Sequence, residues 1–165
     1  MKIKEPPKIP ASKEWVKVLC NDYKFQYIQH IDNIPDGALW STSCSKTKSS
    51  KSRGYPRDFY VGRYNKLFYK YTDLFNLDYG IISDKYGIHM RDECLDYYDI
   101  HPSNLSLDDK FNLGLVVRDK ILEQGFKELI FYYPSPLQSI PYFEILWYSE
   151  LPVFYISKIK ILEEY

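Results

Sequence analysis

The side chains capable of chemistry gather in two stretches of the chain. Residues 41–48 run Ser-Thr-Ser-Cys-Ser-Lys-Thr-Lys, a succession of hydroxyls, one thiol and two amines. Ser43, Cys44 and Ser45, with their backbone N–H groups, have the composition of an anion cradle in which Lys46 supplies the point charge. The glycine spacing of a phosphate-binding P-loop is missing, so ATP hydrolysis is not supported. Neighbouring lysines would lower the Cys44 thiol and make it a nucleophile or redox group; the alternative is a small buried residue at a strand end. The second stretch, residues 83–99, carries Ser83, Lys85, Tyr86, Gly87, Asp92, Glu93, Tyr98 and Asp99. A carboxylate there, Glu93 or Asp99, would serve as base or nucleophile once enclosed, with Lys46 as the cationic catalytic group. His89, His101 and the cysteines show no metal-ligand spacing, and neither metal nor cofactor is expected.

The two stretches differ in charge. Residues 44–58 hold Lys46, Lys48, Lys51, Arg53 and Arg57 against Asp58, whereas residues 84–109 hold seven acids against Lys85 and Arg91. If both loops leave the same edge of a sheet, cationic donors face carboxylates across one site. That pairing suits a nucleotide-like ligand, whose phosphate takes Lys, Ser and Thr donors while carboxylates bind ribose hydroxyls or a cationic sugar transition state. Lys48, Lys51, Arg53 and Arg57 are also candidates for contacting the phosphates of a nucleic acid. The alternative is two solvated loops that pair with each other.

The elements that must position these residues follow from periodicity. Residues 38–43, 79–83, 129–133 and 153–156 are short apolar runs, read as core strands. Tyr60, Tyr64, Leu67, Phe68, Tyr71, Leu74 and Phe75 recur at helical spacing. Leu107, Phe111, Leu115 and Leu122 share a second helical face, opened by the Ser106 to Asp109 cap and closed by Gly125. A third helix is expected over residues 140–150. Gly80 signals a close approach to its strand. The predicted fold is an α/β, three-layer, Rossmann-like domain with a mostly parallel sheet of about four strands over residues 35–165. Residues 1–34 are expected to form an N-terminal arm and helix packed on it.

At 165 residues the chain is long enough to bury one core, and its net charge is zero. Three cysteines without paired spacing argue for reduced thiols. With no long apolar run and no apolar leader at residues 1–7, a cytoplasmic protein with no membrane partner is expected.

Four segments in order, Ser43-Cys44-Ser45-Lys46, Asp58-Phe59-Tyr60-Val61-Gly62, residues 80–88 and Tyr98-Asp99, carry a resemblance. Together they resemble an uncharacterised family grouped with the YaaA-like peroxide-stress proteins. Asp84 stands where a small residue is common in that pattern, and Tyr97 replaces its proline. The first segment is more distantly similar to the catalytic core of archaeosine synthase, which acts on a 7-deazaguanine base in tRNA. The resemblance marks Ser43, Cys44, Lys46, Tyr60, Ser83, Lys85, Tyr86, Gly87, Tyr98 and Asp99, with Ser45 in the same cradle. It implies a Rossmann-like domain associated with nucleic-acid stress or base modification. The expectation is an enzyme that processes a nucleotide or nucleobase, at an N-glycosidic bond or on a modified base. The alternatives are a non-catalytic nucleic-acid-binding protein and a peroxide-stress protein using Cys44.

Overall fold

Residues 2–45, 48–49 and 51–164 are described by the structure, a computed structural model. Its centre is built by the apolar runs. Leu39–Ser43 (β2), Tyr79–Ser83 (β4), Leu129–Tyr132 (β7) and Val153–Ile156 (β8) are buried at every position, as strands covered on both faces must be. Two further strands bring the sheet to six rather than four: Gln26–Tyr27 (β1) and Gly87–Met90 (β5). The order is β1-β8-β7-β2-β4-β5, parallel throughout except for β5, which folds back antiparallel on β4.

Both added strands lay outside the expected sheet for physical reasons. The strand β1 is two residues long and half exposed, so it has no alternation to detect. The strand β5 reads Gly-Ile-His-Met, with a polar residue inside a wholly buried run. The segment expected as an N-terminal appendage therefore also supplies an edge strand, after a short helix, Trp15–Lys17 (α1), that widens into a π turn over Val18–Asp22. A separate ribbon pairs Arg53–Gly54 (β3) with Leu95–Asp96 (β6).

Helices cover the two faces. Pro56–Phe59 (α2) precedes Arg63–Leu74 (α3), whose Phe68 packs on Tyr79 and Tyr132. Leu107–Glu123 (α4) and Ile140–Ser149 (α5) pack on each other. Phe143 of α5 meets Phe131 and Tyr155. Phe131 and Tyr132 are consecutive strand residues and point to opposite faces, which puts α3 and α5 on opposite sides of the sheet. The expected helix from Tyr60 begins only at Arg63. Gly62 is its N-cap, and Tyr60 ends α2 in an extended conformation, off the stripe. Leu74 is exposed.

In α4 the buried face is Leu113, Gly114, Val117 and Ile121, not the stripe through Leu122, which is exposed. Gly114 decides this, because a Cβ there would meet Tyr148 Cβ at 2.5 Å and the Ile145 carbonyl at 2.6 Å. The closest approach of α5 thus centres on the residue with no side chain. The cap of α4 is as expected: Ser106 Oγ accepts from Asp109 N–H at 3.1 Å, and Asp109 accepts from Ser106 N–H at 2.8 Å. Gly80 is crowded too, with Ile88 Cδ1 at 2.7 Å from a built Cβ. Among the described residues no helix is long and apolar enough to cross a membrane.

Candidate active site at the ends of the parallel strands

From β2 the chain passes to β4 on one side and later returns to β7 on the other, so strand order reverses at β2. In open α/β sheets the crevice beyond such a switch point binds ligands. A cavity of about 870 Å³ lies there. Cys44, Asp84 and Tyr133, each the residue that follows one of the three adjacent strands, all line it. The N-terminal turn of α3 adds Arg63, Tyr64 and Asn65, the start of α5 adds Tyr142, and residues 99–103 form the remaining rim. Buried Asn65 fixes this corner by donating to the Ser43 carbonyl at 2.9 Å, while Gly62 N–H donates to Ser45 Oγ.

Asp84 is the most unusual group in the cavity. It is 3 % exposed, its Oδ2 accepts from the Cys44 thiol at 3.1 Å, and its Oδ1 has no hydrogen-bond partner among the described residues. The Tyr142 hydroxyl lies 3.4 Å from the same sulfur. Burial pushes the Asp84 carboxyl above the usual carboxylate range, opposed by the Cys44 hydrogen bond, by the charges of Lys48 and His101 and by the nearby Tyr142 hydroxyl. Burial, then the Asp84 charge, pushes the Cys44 thiol up to about 12. Cys44 is therefore a neutral donor to Asp84, the reverse of the lowered thiol that its lysine neighbours suggest. It is not disulfide-bonded, and neither is Cys94.

Behind the cavity runs a second buried cluster. Lys85 and Tyr86 N–H groups donate to Ser83 Oγ, and Ser83 donates to the Tyr98 hydroxyl at 2.7 Å. The Tyr98 and Tyr60 hydroxyls are 3.0 Å apart, and Tyr60 lies 3.3 Å from His89 Nδ1. His89 Nε2 contacts the Glu93 carbonyl at 2.7 Å. A carbonyl only accepts, so Nε2 carries the proton and Nδ1 of the neutral ring accepts from Tyr60. Tyr98 must then donate to Tyr60. Every hydroxyl in the chain both donates and accepts, with a single polarity from the residue 85–86 turn to Glu93.

These two clusters sort the residues proposed from sequence. Ser43, Cys44, Ser45, Asp99 and Lys48 line the cavity. Lys48 also lies 4.8 Å from the Tyr98 ring centre. Tyr60, Ser83 and Tyr98 belong to the buried chain and do not reach the cavity surface. Lys85 is exposed and lies over the Tyr86 ring, Tyr86 donates to the Asp96 carbonyl, and Gly87 makes the turn into β5 with φ of 73°. Glu93 is held away from the cavity: its carboxylate pairs with Lys120 at 2.6 Å and accepts from Met90 N–H. Lys46 lies outside the described residues. The remaining basic residues have partners within the chain. Lys51 pairs with Asp58, Arg53 donates to the Cys94 carbonyl, and Arg57 forks onto Asp73 and donates to Tyr79.

Asp84, Tyr142, Arg63, Tyr64 and His101 are the cavity residues that motif reading passed over. For Asp84 the signal was present, since it follows β4 as Cys44 follows β2. Among the described residues no group of three His, Cys, Asp or Glu side chains could hold a metal ion. Comparison with protein-family models, curated proteins and solved structures finds no match for this chain.

Proposed function

We propose that the cavity at the switch point is the active site of an enzyme that processes a nucleotide or nucleobase, at an N-glycosidic bond or on a modified base. The observation that carries this reading is Asp84, a buried carboxylate with one oxygen unsatisfied at the carboxyl end of a parallel strand. A group of this kind costs stability in the free protein, which fits a residue kept for chemistry. Burial raises its proton affinity above that of an ordinary carboxyl, the direction that general acid–base chemistry requires.

The surroundings supply the remaining parts. Lys48 and Arg63 are cations on the cavity wall, and the amide groups opening α3 point the positive end of a twelve-residue helix at the same side. Tyr64 and Tyr133, in an edge-on pair with centroids 5.6 Å apart, give an aromatic wall for a base. Asp99 on the rim is placed for ribose hydroxyls. The volume is within the range of roughly 300–1,000 Å³ common for small-molecule sites. A purely nucleic-acid-binding role is less well supported, because Lys51, Arg53 and Arg57 are engaged within the chain. A peroxide-sensing role for Cys44 would require a thiolate, which burial opposes.

The test is incubation with nucleoside monophosphates and short RNA and DNA, read by mass spectrometry for released base or altered nucleoside. Turnover by the native protein that disappears in Asp84→Asn is the expected outcome. Unchanged substrates across the whole panel would remove the enzymatic reading.

A further inference from the structure

We propose that Asp84 selects the base: its carboxylate accepts hydrogen bonds from a heterocycle edge carrying N–H donors side by side, as guanine does with N1–H and its 2-amino group. This rests on the cavity being a nucleotide site and adds which base the site takes. Three observations point the same way. The Cys44 thiol donates to Oδ2, which sets the carboxyl as an acceptor, and among the described residues Oδ1 has no donor. Among the described residues no cation lies within ion-pair distance of Asp84, so none of them supplies that donor as an ion pair. The same cavity is lined by the rings of Tyr64, Tyr133 and Tyr142, which favour a planar ligand over an aliphatic ammonium group.

The two carboxylate oxygens have unequal capacity. Oδ1 is buried and has no hydrogen-bond partner among the described residues, and Oδ2 retains a lone pair after accepting from Cys44. An edge with two adjacent N–H groups satisfies both. A hypoxanthine edge offers one donor. An adenine edge sets a ring-nitrogen lone pair against a carboxylate oxygen, which is repulsive, and leaves a buried acceptor unpaired.

Isothermal titration with GMP, IMP and AMP tests this on the native protein and on Asp84→Asn, with folding of the variant confirmed by its melting transition. The expected order for the native protein is GMP, then IMP, then AMP, with GMP ahead of AMP by on the order of ten- to a hundredfold. Asp84→Asn presents one donor and one acceptor, so the preference for GMP should vanish or reverse. Equal affinity of the native protein for GMP and AMP would overturn the assignment of the edge and leave a nucleotide site standing. A GMP preference that survives in Asp84→Asn would also overturn it. Binding of no nucleotide at all would overturn both this inference and the function it rests on, as would Asp84-dependent binding of a simple alkylamine alone.

Discussion

Ser83 and Asp84 are neighbours at the end of β4, yet they lead into two clusters of opposite character. From Ser83 the hydrogen bonds run through Tyr98, Tyr60 and His89 to the Glu93 carbonyl, and each hydroxyl has both a donor and an acceptor. From Asp84 they run to Cys44 and Tyr142, and one carboxylate oxygen has no partner among the described residues. The first arrangement is closed. It ties the β4–β5 hairpin, the end of α2 and the segment around residue 98 together, and it gains from being left undisturbed. The second is incomplete among the described residues, and in the proposed function a ligand in the cavity completes it. Buried polar groups alone do not mark a site; buried polar groups with unused capacity do.

Disrupting each cluster should damage a different property. Asp84→Asn gives the largest effect: turnover should fall about 10²–10⁴-fold, the usual worth of a positioned acid-base group, with the far-UV spectrum unchanged. Tyr60→Phe, on the closed side, should instead cost about 1–3 kcal/mol in urea denaturation, because it leaves His89 Nδ1 and the Tyr98 hydroxyl short of a partner. A variant in which Tyr60→Phe abolishes ligand binding without loss of stability would dissolve the distinction.

The closed chain also carries a pH dependence smaller than that loss. Burial holds the His89 imidazole below its ordinary value of 6.5. The folded state therefore binds fewer protons than the unfolded one, and the stability due to neutral His89 is complete above pH 6.5. It is lost as the pH falls through the depressed folded value, where Nδ1 would turn from acceptor to donor against Tyr60. Denaturation midpoints should decline on acidification below about 6.5, and a His89→Phe variant should lack this component. A native midpoint that stays level through that range would show that the ring is not held neutral.

Much of the frame was legible because it rests on local rules. Four buried apolar runs gave four strands, the Ser106 cap placed α4, and the crowding at Gly80 matched its lack of a side chain. The edges were not legible, since β1 is too short for periodicity and β5 hides a polar histidine whose partners come from far along the chain. The site was half legible for a related reason. Ser43, Cys44 and Ser45 stand out by composition and do line the cavity. The second stretch was legible in part: Asp99 lines the cavity, whereas Ser83 and Tyr98 are hydrogen-bonded to each other behind it. Charge density pointed to Glu93, whose carboxylate is neutralised by Lys120 from α4, a contact no local pattern contains. Asp84 was visible by its position after β4 and as a departure from the pattern that the second stretch resembles.

The same substitution that removes function should make the protein more stable, and this smallest effect is the most discriminating. Burial raises the Asp84 carboxyl above its ordinary value of 3.8, so the folded state binds its proton more tightly than the unfolded state does. The stabilising contribution of that protonated form is complete below pH 3.8 and is lost as the pH rises through the folded value. Above that folded value the native protein bears an incompletely compensated carboxylate, and Asp84→Asn does not. The variant should be more stable by about 1 kcal/mol at neutral pH, the scale of one poorly satisfied buried polar group, with the difference shrinking on acidification. GMP added to the native protein should close the same gap by supplying the missing donors. An Asp84→Asn variant less stable than the native protein at pH 7 would place Asp84 in the closed class with Ser83, as a structural residue whose partner lies within the chain.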